Sequence, residues 1–214
     1  MKDWSVTDAL IFDMDGTLWD AVNSYCAIWD ACFEKFGVER RVAREELLRL
    51  MGLSLSEIYR EIAGEPPVIA PEIYIPVLEK LEKEMMPRLG GEPFPGVREG
   101  LKQLSEKYSV FLLSNCGENG LRDMMNHVGI KDYVTEAVTF GSTKRPKDEN
   151  LIYIKDKYAL KNPVYVGDTQ SDCASTHKAG LPFVFASYGF GTCESPDLSF
   201  ESFEDLTEFF MNLK

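Results

Sequence analysis

Histidine is nearly absent from this chain. His127 and His177 are the only two, so a histidine-based metal centre or a Ser-His-Asp triad has almost nothing to draw on. Cysteine is sparse as well: Cys26, Cys32, Cys116, Cys173 and Cys193 leave one unpaired, and none stands in a CxxC or Cys/His metal spacing. Reduced thiols in a cytoplasmic protein are the expectation. No window approaches the roughly 18 apolar residues of a membrane span. The opening Met1-Lys2-Asp3-Trp4-Ser5 has no apolar stretch suited to a signal peptide. Positive charge is also short, with 23 bases against 35 acids and a net charge of −12. That balance argues against nucleic acid as a partner, because such binding needs a basic footprint to replace phosphate counterions. An acidic chain that handles an anion must therefore concentrate positive charge locally.

What is present is ordinary globular material: 214 residues, 44% hydrophobic and 27% charged, enough to bury a core without disulfides or a structural metal. Short apolar runs alternate with helical periodicity. Ala9–Phe12, Val110–Leu113, Val164–Val166 and Phe183–Phe185 are continuous β-branched and aromatic runs, too short for buried helices, and Ala137–Phe140 is a weaker fifth. Between them, Leu101, Leu104 and Tyr108 follow Pro95-Gly96. Leu121, Met124, Met125 and Val128 precede Gly129, while Leu151, Ile154 and Tyr158 repeat at helical spacing. Ser171–Ala179 ends at Gly180, and Phe203–Leu213 closes the chain. The alternation predicts an α/β fold with a Rossmann-like, doubly wound parallel sheet. From Ala21 to about Arg88 only helical patterns occur, about four of them, interrupted at Pro66-Pro67 and closed by Gly90-Gly91-Glu92-Pro93. The expected organisation is a core of residues 1–19 and 89–214 and an inserted helical unit of residues 20–88.

The first run ends in Phe12-Asp13-Met14-Asp15-Gly16-Thr17-Leu18. Two aspartates one residue apart at the carboxyl end of a parallel strand lie on the edge where open α/β sheets bind ligands. Gly16 lets the backbone turn sharply beside them. A polar turn leaving a strand is the plainer alternative.

Asp13-Met14-Asp15-Gly16-Thr17 resembles the first motif of the haloacid dehalogenase-like (HAD) superfamily of phosphohydrolases. Leu112-Leu113-Ser114-Asn115 is similar to the second motif and Lys147 to the third. Val166-Gly167-Asp168-Thr169-Gln170-Ser171-Asp172 is similar to the fourth. The helical insertion resembles the subclass I cap, and Phe94-Pro95-Gly96-Val97 the cap exit of phosphoglycolate phosphatase-like members.

The resemblance implies a Mg²⁺-dependent phosphatase acting on a small phosphomonoester through an aspartyl-phosphate. A phosphate monoester carries nearly two negative charges, which a hard oxygen-ligand cation and an ammonium must offset before a carboxylate can attack. By the resemblance Asp13 is the nucleophile and Asp15 the acid and base. The Asp13 carboxylate, the Asp15 main-chain carbonyl and the Asp168 carboxylate are the metal ligands, with Asp172 on a metal-bound water or on Lys147. Ser114, Asn115, Lys147, Gly16 and Thr17 surround the phosphate. The plainer alternatives are Asp168 and Asp172 as helix caps and Ser114 as a turn residue, and the functional reading is preferred over them.

The string Lys144-Arg145-Pro146-Lys147 breaks the family's usual Lys-Pro pair. Lys147 is preferred because Asp148-Glu149-Asn150-Leu151 then opens a helix at the matching offset, and Lys144 is the alternative. The presence of Asp15 points away from dehalogenation. Tyr25, standing where phosphoglucomutase-type relatives carry a histidine, disfavours a β-phosphoglucomutase-like mutase, although Arg49–Ser54 resembles their substrate loop. A phosphate-sensing module without turnover is the alternative from another class. Specificity is expected near Gly52–Ser56, across a cap face of mostly Tyr, Trp and Met, with phosphoglycolate or a sugar phosphate as substrate. The chain is expected to act as a monomer or homodimer.

Overall fold

The apolar runs become strands because β-branched and aromatic side chains suit a pleated surface packed on both faces. The computed structural model of the protein describes residues 2–64 and 66–214. In chain order the elements are β1 (Ala9–Phe12), β2 (Trp19–Asp20), α1 (Val22–Lys35), α2 (Arg44–Leu48), α3 (Leu55–Ala63), α4 (Pro71–Leu89) and β3 (Glu92–Pro93). There follow α5 (Val97–Ser105), β4 (Ser109–Ser114), α6 (Gly120–Val128), β5 (Glu136–Thr139), α7 (Phe140–Thr143) and α8 (Lys147–Lys157). The chain ends with β6 (Pro163–Gly167), α9 (Gln170–Lys178), β7 (Phe183–Ala186), β8 (Leu198–Phe200) and α10 (Phe203–Asn212).

Six strands form one sheet in the order β5-β4-β1-β6-β7-β8, and every pairing is parallel. The fold is the Rossmann-like α/β sheet expected from the alternation. Its two faces are covered separately, as the period-2 side-chain pattern requires. Leu10, Phe12, Leu112 and Val166 pack with Leu101, Leu104, Leu206 and Phe210 of α5 and α10. Ala9, Ile11, Phe111 and Tyr165 pack with Leu151 and Ile154 of α8 and Cys173 of α9. From β1 the chain moves outward through β4 to β5, then returns to β6 on the other side and continues to β7 and β8. The direction reverses between β1 and β6, whose carboxyl ends therefore flank the crevice where such sheets bind ligands.

The four helices α1–α4 lie between two short strands, β2 and β3, which pair antiparallel with Trp19 opposite Pro93 and Asp20 opposite Glu92. Asp20 and Glu92 thus tie the entrance of the helical insertion to its exit. The insertion has its own aromatic core. Phe33 and Tyr59 stand 4.9 and 4.7 Å from Tyr74, and Trp29 stands 5.6 Å from it. Pro71 opens α4 at a position where its missing N–H costs nothing, while Pro76 and Pro87 lie inside the helix.

Three elements differ in detail from the periodicity. Phe140 leaves the fifth strand and starts α7, because Thr139 caps that helix through its side chain. Tyr108 lies beyond α5 and instead donates its hydroxyl to the Phe210 carbonyl at 2.6 Å. Edge strand β8 has only three residues, none fully buried, and leaves no apolar run in the sequence. No described helix is long and apolar enough to cross a membrane.

Candidate active site

Asp13 continues the sheet one step past β1, its N–H donating to the Val166 carbonyl at 2.9 Å. The next residues wrap tightly, with Leu18 N donating to Met14 O at 2.8 Å and Gly16 N to Trp19 O at 3.0 Å. Gly16 adopts φ +81°, and a Cβ there would stand 2.1 Å from Asp168 Oδ2. No other residue fits this turn, which explains why glycine follows the second aspartate.

From β6 comes Asp168, fully buried. It accepts from Phe190 N at 2.8 Å and from the Thr17 hydroxyl at 3.3 Å. Asp172 lies in the first turn of α9. Its Oδ2 accepts from Thr169 N at 3.1 Å and Thr169 Oγ1 at 2.7 Å, completing a capping box. Its Oδ1 accepts from Lys147 Nζ at 2.5 Å. Lys147, the first residue of α8 and 5% exposed, also donates to Asp13 Oδ1 at 3.1 Å. Its ammonium thus bridges the ends of β1 and β6. Lys144 makes neither contact. It sits in a left-handed turn after α7 with its Nζ 5.9 Å from the Phe140 ring centroid.

The remaining sequence candidates surround this centre. Ser114 ends β4, is buried, and its Oγ accepts from Cys116 N at 3.2 Å. Asn115 Nδ2 reaches into the insertion and donates to the Gly52 carbonyl at 3.2 Å. Thr17 commits its hydroxyl to Asp168. The Asp15 carboxylate is held apart from the other aspartates, accepting from Trp19 Nε1 at 3.0 Å and the Tyr25 hydroxyl at 3.4 Å.

Burial with little compensating charge governs the electrostatics. Burial pushes Asp168 up to about 8, reinforced by Asp172 and Asp13. Burial pushes Asp13 up to about 6, Lys147 opposing and Asp172 adding to the rise. Asp15 lies well above the usual carboxylate range through burial, then through Asp13. For Lys147 burial alone would lower the ammonium's pKa, but Asp13 and Asp172 overcome it and hold it well above normal.

Oxygens of Asp13, Asp168 and Asp172 lie within 4.8 Å of one another. This is a hard, all-oxygen donor set with more negative charge than one ammonium offsets, and it fits a divalent cation of the Mg²⁺ type.

Asp13, Asp15, Ser114 and Lys147 open onto a cavity of about 290 Å³ between the sheet edge and the helical insertion, and Asp168 and Asp172 stand behind its wall. The wall supplied by the insertion departs from the expected Tyr, Trp and Met surface. Tyr25, Trp29 and Met51 are there, but so are several aliphatic residues and two carboxylates, Glu79 and Glu82. Ile75, Leu78, Glu79 and Glu82 are spaced i, i+3, i+4, i+7 along α4, so the signal was the one helix face where acids join the apolar stripe. Trp19, the donor to Asp15, stands four residues after it and carried no sequence signal of its own. His127 packs 6.2 Å from the Trp19 ring, and His177 bonds Asp197, so neither histidine enters the site.

Comparison with known proteins agrees with this geometry. A phosphoglycolate phosphatase from Rhodobacter capsulatus is 25% identical over 190 residues, covering 85% of each chain. One from Synechococcus elongatus is 27% identical over 211 residues, covering 94% of this chain and 95% of its own. A solved hydrolase of the haloacid dehalogenase-like family from Streptococcus pneumoniae superposes with a TM-score of 0.84 at 19% identity, across 96% of this chain and 99% of that one. The sequence model of haloacid dehalogenase-like hydrolases matches residues 10–186, which take in Asp13, Ser114, Lys147, Asp168 and Asp172 alike, and the chain belongs to that family.

Proposed function

We propose that the protein is a Mg²⁺-dependent phosphatase that hydrolyses a small phosphomonoester through an aspartyl-phosphate on Asp13, with the helical insertion, residues 20–88, as its cap. The observation that carries this reading is the Lys147 ammonium held between Asp13 and Asp172 beside a cavity of small-molecule size. The names of the relatives support phosphate-ester hydrolysis as the reaction class. Asp13 and Asp168, with the Asp15 carbonyl, are the groups that would hold the metal, and Asp172 would stand behind them on Lys147. Bound there, Mg²⁺ supplies charge neutralisation for the phosphoryl group.

The chain's own groups perform the transfer. A carboxylate oxygen of Asp13 forms a bond to phosphorus as the bond to the ester oxygen breaks. Burial raises the Asp15 pKa well above the usual carboxylate range, which favours the protonated form that gives its proton to the departing alkoxide. The same carboxylate then takes a proton from the water that attacks the aspartyl-phosphate, which restores Asp13 and releases phosphate. Trp19 Nε1 and the Tyr25 hydroxyl position Asp15 for both transfers. Lys147 and the Ser114 hydroxyl balance and orient the phosphoryl oxygens. Asn115 and Thr17 act behind them, through Gly52 and Asp168. The cap excludes water during the first transfer.

The test is phosphate release from a generic aryl phosphate with and without Mg²⁺. Wild type is expected to turn over only with the metal and Asp13→Asn not at all. A fully active Asp13→Asn variant would overturn the covalent mechanism, and a wild type inert across a broad ester panel would favour a non-catalytic module.

A further inference from the structure

The cavity has two chemically different ends. The sheet side offers Lys144 and Lys147, the only cations in its wall among the described residues. The insertion side offers none. Its polar side chains include two serines, the Tyr25 hydroxyl and the carboxylates of the half-buried Glu82 and the exposed Glu79, beside aliphatic and aromatic side chains. Glu82 lies deep enough to act on the catalytic groups. It adds to the effect of burial in raising Asp15, Tyr25 and the Cys116 thiol. No donor among the described residues meets its carboxylate. Burial pushes Glu82 up to about 7, with Glu79 and Asp123 adding to the rise.

A carboxylate kept in a largely apolar wall with no partner is costly. A ligand that supplies the missing cation removes that cost, while a ligand bringing another carboxylate increases it. A positive group opposite the phosphate is therefore favoured over a neutral or negative one. Size is the other guide: about 290 Å³ is at the small end of ligand cavities. That suits a phosphate with a short chain.

We propose that the substrate is the phosphate ester of a small amino alcohol, its ammonium paired with Glu82 and Glu79 while its phosphate faces Asp13 and Lys147. This rests on the phosphatase reading above and departs from the carboxylate-bearing substrate in the names of the relatives. Glu82 is then a specificity-determining residue of the cap, which discriminates by attraction of amines and repulsion of acids.

The experiment measures kcat/KM with Mg²⁺ for three esters of matched length, 2-aminoethyl phosphate, ethyl phosphate and phosphoglycolate, beside a generic aryl phosphate. For wild type the amino ester is expected to exceed ethyl phosphate by at least about tenfold, and phosphoglycolate to be slowest, because a close charge pair contributes about that much or more. Glu82→Gln is expected to lower the ratio of amino ester to ethyl phosphate about tenfold or more. If the aryl phosphate turns over but ethyl phosphate or phosphoglycolate equals or exceeds the amino ester, the inference fails and the phosphatase reading stands. If all four esters are inert, both fall. The wild-type ranking decides the matter should the Glu82→Gln variant not fold.

Discussion

Glu82→Gln tests the charge of the cavity without any substrate, through stability. The carboxyl titrates near 7 in the folded chain, against an ordinary value of 4.5. Below pH 4.5 it is protonated in both folded and unfolded chains, and the substitution changes little. As pH rises from there through 7, the folded chain retains a proton that the unfolded chain has released, so this group lowers wild-type stability progressively. Above 7 the full cost is present. At 1.36 kcal/mol for each pH unit between the two values the ceiling is about 3 kcal/mol, and roughly 1–2 kcal/mol remains once residual contact with solvent is allowed for. Metal-free urea unfolding at pH 4.5 and pH 8 is the assay. The variant is expected to match wild type at the lower pH and to be more stable by roughly 1–2 kcal/mol at the higher. A difference that does not vary with pH, or a variant less stable at pH 8, would refute the placement of an unpaired carboxylate in this wall.

Lys147→Ala is expected to cost about two to three orders of magnitude in kcat, as removal of one preorganised donor does; a larger loss in Lys144→Ala, measured in the same phosphate-release assay, would move the catalytic ammonium to Lys144. Replacing Mg²⁺ by Ca²⁺ is expected to inhibit, because the larger ion takes more oxygen ligands and competes for both oxygens of Asp13; full activity in Ca²⁺ would contradict Asp13 as a free nucleophile. Thr169→Ala removes the side-chain partner of Asp172 in the capping box and is expected to cost about 1 kcal/mol in denaturant unfolding, together with a fall in kcat that Thr169→Ser restores. Loss of stability with kcat intact would separate the helix cap from the site.

The parts legible in the sequence are those fixed by local chemistry. Ala9–Phe12 is apolar enough to form a buried strand, and Gly16 after the two acids allows the sharp turn that here brings the backbone close to Asp168. The offset from Lys147 into an amphipathic helix pointed to the ammonium that reaches Asp13. Long-range features left little trace. Strands of two residues, Trp19–Asp20 and Glu92–Pro93, have no period to detect, and they exist because the chain on either side of four helices is brought together. Glu82 looks in isolation like a solvated acid on α4. Only the packing of that helix over the sheet edge turns it inward, and no local pattern encodes which stripe of an amphipathic helix will face a cavity rather than water.

The helix cap made by Asp172 and its contact with Lys147 are one arrangement. A carboxylate has two oxygens, and here they do different work: Oδ2 satisfies the start of α9, and Oδ1 receives the Lys147 ammonium. The cap removes the side chain's rotamer freedom before any ligand arrives, so the lysine meets a fixed acceptor. Lys147 is itself placed by the first turn of α8, where Asp148 and Glu149 suit the positive end of the helix. Two helix starts on one face of the sheet, beside the β1–β6 crevice, therefore set the position of a single charge. This is how a chain with a net charge of −12 keeps a cation where phosphate chemistry needs it. The requirement is met by two helix termini and one buried ammonium, and the surface charge elsewhere has no part in it.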